Sequence, residues 1–176
     1  MFEIQLVAVG KVDRPVLEFL AAILTDSLSR PVSIREGTID PGDVYDLVRR
    51  QYHSTEILAK LVALGAAPNQ KILGVADVDL FIPILTFVFG EAQLGGPTAL
   101  LSMYRLRQEF YGLPADEELL YRRAEKEAIH ELGHTFGLVH CRNFQCVMHY
   151  SNSIEQVDLK ESDFCPDCHA MWLPKG

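Results

Sequence analysis

An α/β domain is the fold class that this sequence predicts, and three observations predict it. An apolar, strand-like run near residues 3–10 is followed directly by a segment of helical periodicity over 13–29. After a second helical region come two runs, 71–77 and 86–93, rich in the β-branched and aromatic residues that suit a pleated surface. At 176 residues the chain has the length of one domain, enough to bury roughly 70% of its unfolded surface around a single core.

The first strand is Ile4-Gln5-Leu6-Val7-Ala8-Val9-Gly10. It follows Met1-Phe2-Glu3 with no basic start and no cleavage site, so no export signal is expected. The helix over 13–29 carries Val16, Phe19, Leu20, Ile23, Leu24 and Leu28 on one stripe. Residues 31–35 read as a short second strand and 37–42 as a loop rich in turn formers. A second helical region is predicted over 44–64, with a break near His53-Ser54 and an end at Gly65 and Pro68. Strands over 71–77 and 86–93 follow, and Gly95-Gly96-Pro97 turns the chain into 98–104. Pro114-Ala115-Asp116 opens the last long helix, with Asp116 or the preceding turn as its cap and acidic residues in its first turn. Ile129, Leu132 and Phe136 give that helix a stripe toward the core.

Composition narrows the partners. A hydrophobic content of 48% and a charged content of 23% describe an ordinary globular chain. The net charge of -8 and pI near 5.2 oppose nucleic-acid and anionic-membrane partners, whose phosphates would be repelled. The longest apolar region, 72–89, is interrupted by Asp77, Asp79 and Pro83 and is too broken to cross a bilayer. A cytoplasmic protein, monomeric, is expected. All four cysteines lie between Cys141 and Cys168, spaced C-x4-C and C-x2-C. In a cytosolic chain that spacing suggests thiolate ligands before disulfides or a redox pair, with His169 as an alternative ligand.

Chemistry concentrates near the end of the last helix, in HELGHTFGLVH over 130–140. A helix turns once per 3.6 residues, so His130 and His134 project from one face as two nitrogen ligands for one metal. Glu131 sits beside that face, placed to take a proton without occupying a coordination position. Gly137 supplies a break, because glycine adopts the left-handed conformation that ends helices at little cost. The chain can then return His140 as third ligand. Three imidazoles leave a fourth position for water, whose pKa zinc lowers to about 7. The glycine and third histidine at fixed offsets make a chance occurrence of H-E-x-x-H improbable.

These residues resemble the extended zinc signature of the metzincin peptidases, in which three histidines bind zinc and the glutamate acts as base. Metzincins also place a methionine in a tight turn beneath the metal, and Met148 in Cys146-Val147-Met148-His149-Tyr150 lies at a suitable distance after His140. Tyr150, two residues later, occupies a position where some metzincins stabilise the oxyanion, although packing is the expected role here. Cys141 directly after the third histidine, then Cys146 and Cys165-Pro166-Asp167-Cys168, is similar to the archaemetzincins, which carry a second, four-cysteine zinc site. The resemblance spans 130–168, extends to 78–81 and 87–92, and matches only in layout over the first 70 residues.

That resemblance implies a metzincin-like zincin fold: a mixed, mostly parallel twisted sheet with one antiparallel edge strand, here 86–93, above a long active-site helix. It implies an N-terminal subdomain, 1–139, and a C-terminal one, 140–176, within a single catalytic domain. It also implies two zinc ions per chain, one catalytic on His130, His134 and His140, and one structural on Cys141, Cys146, Cys165 and Cys168. The expected activity is hydrolysis of peptide or protein substrates with Glu131 as general base, as an aminopeptidase or short-peptide peptidase. The alternative is a non-catalytic, zinc-stabilised protein-interaction module.

Overall fold

The computed structural model describes residues 2–172, so the last residues of the expected C-terminal subdomain, 173–176, lie outside the described residues. The chain opens with β1 (Glu3–Val9), α1 (Arg14–Leu28) and β2 (Val32–Ile39). A small hairpin, β3 (Tyr45–Asp46) and β4 (Gln51–His53), leads into α2 (Ser54–Ala63). Then come β5 (Gln70–Ala76), β6 (Leu80–Phe81), β7 (Gly90–Ala92) and β8 (Thr98–Ser102). The chain ends in α3 (Glu117–Thr135), α4 (Ile154–Leu159) and α5 (Pro166–Trp172).

Five strands form the main sheet in the order β2-β1-β5-β8-β7. The first four run parallel, and β7 is antiparallel at the edge. Parallel strands are covered on both faces, which is why β1, β5 and β8 read as nearly unbroken apolar runs. Their side chains alternate between two cores, as the pleat requires. Leu6, Leu73, Val75 and Leu101 face α1 and α3. Val7, Val9, Ile72 and Leu100 face α2. Gly74 lets α2 sit close, since a Cβ there would lie 2.4 Å from Leu61 Cδ1.

Three elements differ from the sequence reading. The helix predicted over 44–64 is helical only from Ser54 onward. Before it, the Asp46 carboxylate accepts the N–H groups of Val48 and Arg49, and Arg50 takes a φ of 58°. This local turn chemistry closes the β3–β4 hairpin in place of a helix. The loop predicted over 37–42 is partly strand: β2 continues to Ile39 through an irregularity opposite Leu6 and Ala8, where Gly37 takes a φ of 90°. The strand predicted over 86–93 joins the main ladder only at Gly90–Ala92. Upstream, Thr86 O accepts from Gln51 Nε2 and Val88 N donates to Leu80 O, so those backbone groups serve the small sheet.

α3 runs as predicted, with Asp116 Oδ1 accepting from Leu119 N at 2.9 Å as its cap. Its C-terminal carbonyls are tied to the β7–β8 turn and to β5. His134 O accepts from Gly95 N, and Thr135 O accepts from Lys71 Nζ at 2.8 Å. That ammonium also lies 4.4 Å from the centre of the Phe136 ring. Phe136 in turn packs at an angle against the rings of Phe2 and Trp172, which holds α5 against the end of α3. Among the described residues no helix is long and apolar enough to cross a membrane.

Candidate active site

The end of α3 sets the geometry. His130 is buried and His134 half-buried on one face of the helix, with their Nε2 atoms 3.1 Å apart. Gly137 follows with a φ of 87°, the left-handed break that turns the chain. His140 then comes back against both, its ring centre 5.4 Å from that of His130 and 4.9 Å from that of His134. One ligand atom from each of the three lies within 4.8 Å of the others.

The other ring nitrogens decide what these atoms can hold. His130 Nδ1 is 2.8 Å from Val147 O, and His134 Nδ1 is 2.7 Å from Leu138 O. A carbonyl only accepts, so both Nδ1 atoms carry the proton and both Nε2 atoms present lone pairs. Two lone pairs facing each other at 3.1 Å are unfavourable unless a cation lies between them. Burial is the largest influence on all three histidines and lowers the pKa of each, that of His130 well below the ordinary value. Neutral imidazoles with converging lone pairs fit a zinc ion, and these residues would hold it.

Glu131 lies beside this cluster with only 6% of its surface exposed. Burial pushes its carboxyl well above the usual range, Glu127 adds to the rise, and Lys160 opposes it. The edge strand comes directly against it: a Cβ on Gly90 would lie 2.7 Å from Glu131 Oε1 and 2.5 Å from Leu100 O. Met148 is fully buried under the helix, where a Cβ on Gly133 would meet its Sδ at 2.4 Å. A glycine inside a helix costs about 1 kcal/mol relative to alanine, and here it makes room for that sulfur. A cleft of 490 Å³ opens over the histidines, walled by Phe87, Val88, Leu94, Val139 and Tyr150. The Tyr150 ring stands 5.1 Å from that of His140 and is 40% exposed, so it packs on the cleft wall rather than in the core.

Behind the turn, Cys141, Cys146, Cys165 and Cys168 bring their sulfurs within 4.8 Å of one another. All four are free thiols, and Cys141 and Cys165 stand 3.8 Å apart, far from the roughly 2.05 Å of a disulfide. Asn143 N donates to Cys141 Sγ and Cys165 N to Cys146 Sγ, the kind of contact that supports a thiolate. Burial pushes the Cys146 and Cys168 thiols up, and the backbone at Cys168 pulls that of Cys165 down. Four sulfurs crowded together fit a closed tetrahedral zinc site. His169 is exposed and stands outside this group.

Two acidic residues near the cleft serve the fold. Asp79 is taken up by Arg105 in a two-pronged pair of 2.6 and 2.8 Å, and Glu91 accepts from Thr55 Oγ1 at 2.8 Å. Sequence reasoning missed Gly90, Gly133, Glu127 and Lys160. Glu127 was within reach, because a carboxylate four residues before Glu131 shares its face of the helix. The other three act through contacts distant in sequence and left no local signal.

Comparison with known proteins places these features in context. The profile of peptidase family M54 matches residues 21–173. The archaemetzincin of Methanocaldococcus jannaschii is 51% identical over 124 residues, which cover 70% of this chain and 67% of that protein. Among solved structures, a zinc-dependent peptidase from Methanocorpusculum labreanum matches with a TM-score of 0.85 at 32% identity, covering 96% of this chain and 98% of that one. The archaemetzincin of Archaeoglobus fulgidus matches with a TM-score of 0.83 at 38% identity, covering 97% and 99%.

Proposed function

Since this chain belongs to peptidase family M54 and is a zinc metallopeptidase, we propose that it cleaves short peptides with Glu131 as general base and holds two zinc ions. His130, His134 and His140 would hold the first and the four cysteines the second. The converging Nε2 lone pairs of His130 and His134, 3.1 Å apart, carry this reading. When bound, the catalytic zinc supplies Lewis acidity at the scissile carbonyl and lowers the pKa of water. Glu131 takes the proton of the attacking water and delivers it to the departing amine, a task suited to a carboxyl whose pKa burial has raised.

The edge strand positions the substrate. Gln93 N donates to Thr98 O and Ser102 N to Phe89 O, so residues 89, 91 and 93 face β8. Gly90 and Ala92 therefore direct their N–H and C=O groups outward, where an extended peptide pairs as an added strand. The apolar walls favour a bulky apolar side chain beside the scissile bond. Glu91, the one acidic residue besides Glu131 on the cleft, accepts from Thr55 through one oxygen and leaves the other unpartnered, but strand addition uses backbone groups alone and asks for no free amino terminus, which favours cleavage inside a short peptide.

Mass spectrometry of the native protein is expected to count two zinc ions per chain, and His134→Ala one. Acetylated and free forms of an apolar hexapeptide are expected to be cleaved at similar rates. One zinc in the wild type, or cleavage that requires a free amino terminus, would overturn the corresponding part of the reading.

Tyr150 acts by holding the His140 ring rather than through its hydroxyl. Tyr150→Phe should retain turnover within about threefold, whereas loss of an oxyanion donor costs roughly 10²–10³-fold. A loss of that size would assign the hydroxyl a part in the chemistry.

A further inference from the structure

Glu127 lies on the face of α3 that carries His130, Glu131 and His134, one turn nearer the N-terminus. Its carboxylate meets the ammonium of Lys160 at 2.7 Å, with the Lys160 side chain wholly enclosed and that of Glu127 4% exposed. The contact is an ion pair lying off the direction of a well-aligned hydrogen bond. Lys160 Nζ also lies 3.4 Å from His149 O, to which it donates. His149 stands between Met148 and Tyr150, and its N–H is held by Cys146 O. One enclosed ammonium thus touches both the helix that carries the histidine pair and the turn that supplies Met148 and the cleft wall.

The surroundings reinforce this junction. Lys160 immediately follows α4, a six-residue helix too short to hold its own conformation. α3 clasps the end of α4 through other charged groups as well. Arg123 pairs with both oxygens of Asp158 at 2.7 Å, and Lys126 donates to the carbonyls of Val157 and Asp158. The segment that leads into α4, Tyr150, Ser151 and Asn152, lines the cleft.

Stability alone does not account for an enclosed ion pair. Desolvation offsets much of its Coulomb attraction, and replacing both partners with apolar residues of similar volume is often neutral or stabilising. We propose that Lys160, held by Glu127, is a positioning residue that sets the spacing between α3 and the 146–150 turn and so places the cleft wall against the catalytic face. This inference deepens the peptidase reading and rests on it.

The test separates the positioning role from a structural one. Lys160→Met alone leaves Glu127 buried without a partner and should lower Tm. The double variant E127M/K160M removes that burden, so its Tm and its zinc content should match or exceed those of the wild type. Its kcat should nevertheless fall about tenfold or more, with KM changed by less than about threefold, the pattern of lost alignment in the transition state. Independently of turnover, amide exchange of the zinc-loaded double variant should accelerate at 141–152, where the Cys141 and His149 N–H groups are bonded. Wild-type kcat and wild-type exchange in a folded double variant would overturn the proposal. E127Q/K160M gives the same readouts if the first pair does not fold, and failure of both to fold would make the ion pair a requirement of the fold and overturn the positioning role. Inactivity of the wild type would count against the peptidase reading, and the exchange measurement would still decide the positioning role.

Discussion

Replacing Glu131 with alanine is expected to abolish measurable peptide hydrolysis while leaving the metal content unchanged. The two effects separate because the role proposed for the residue lies in the chemistry and not in the ligand geometry. The imidazoles of His130 and His134 are oriented by Val147 O and Leu138 O, so their Nε2 lone pairs converge whether or not a carboxylate stands beside them. General acid–base catalysis contributes about 10²–10⁴-fold, and in the proposed mechanism Glu131 performs both halves of the proton transfer, so the loss should lie toward the upper end. The fold should tolerate the change, because burial and Glu127 already disfavour a charge at this position. Glu131→Gln, which keeps the shape without the basicity, should be equally inactive. Turnover above a hundredth of wild type in either variant, with zinc retained, would remove Glu131 from its role.

What the sequence made legible here follows the range over which residues act. That His130, Glu131 and His134 lie together could be read because helical periodicity decides which residues are neighbours, and the break at Gly137 that returns His140 could be read because glycine takes the left-handed conformation at little cost. Asp116, as a capping residue, and the apolar stripe of α3 were readable from local pattern, and so were β1 and β5, whose nearly unbroken apolar runs mark strands covered on both sides. The β3–β4 hairpin was missed because the periodicity of 44–64 continues through it, while a single Asp46 carboxylate captures two N–H groups and redirects the chain. The edge strand was read as too long because the strand propensity of Thr86-Phe87-Val88-Phe89 says nothing of Gln51 and Leu80, which claim its backbone from elsewhere. Gly90 and Gly133 became interpretable only when the atoms that would meet a Cβ were in place: Glu131 in one case, Met148 in the other. Lys160 is the extreme instance, a lysine in a polar stretch whose complete burial depends on α3 and the 146–150 turn meeting around it.

Cys165→Ser should have the largest effect on stability of any substitution considered, and its origin is the proposed second metal site. Cys146 and Cys168 are buried in the main core with Val147, Met148 and Trp172, so their sulfurs are members of that core as well as the proposed ligands. With three sulfurs in place of four a zinc ion there would be held weakly, and the remaining sulfurs would lose the cation that justifies gathering them. Structural zinc contributes roughly 10–16 kcal/mol to the folding of small zinc domains, comparable with the whole stability of an ordinary protein. Even a fraction of that, about 4 kcal/mol, would lower Tm by roughly 8–16 °C at this chain length. The damage should be directional. α5 would leave first, drawing Trp172 away from Phe2, Phe136 and Phe164, and as the chain has one tryptophan its emission reports that departure directly. Hydrolysis should fall with it, because Cys141 N is bonded to Met148 O and the loosened turn lies next to His140. The expected result is therefore one zinc per chain, a red-shifted tryptophan emission and a lowered Tm, with the histidine site still able to take up metal. An unshifted emission with an unchanged Tm would show that the four cysteines do not hold the C-terminal segment, and would leave the geometry of the Met148 turn to the Glu127–Lys160 junction and the core packing around Met148.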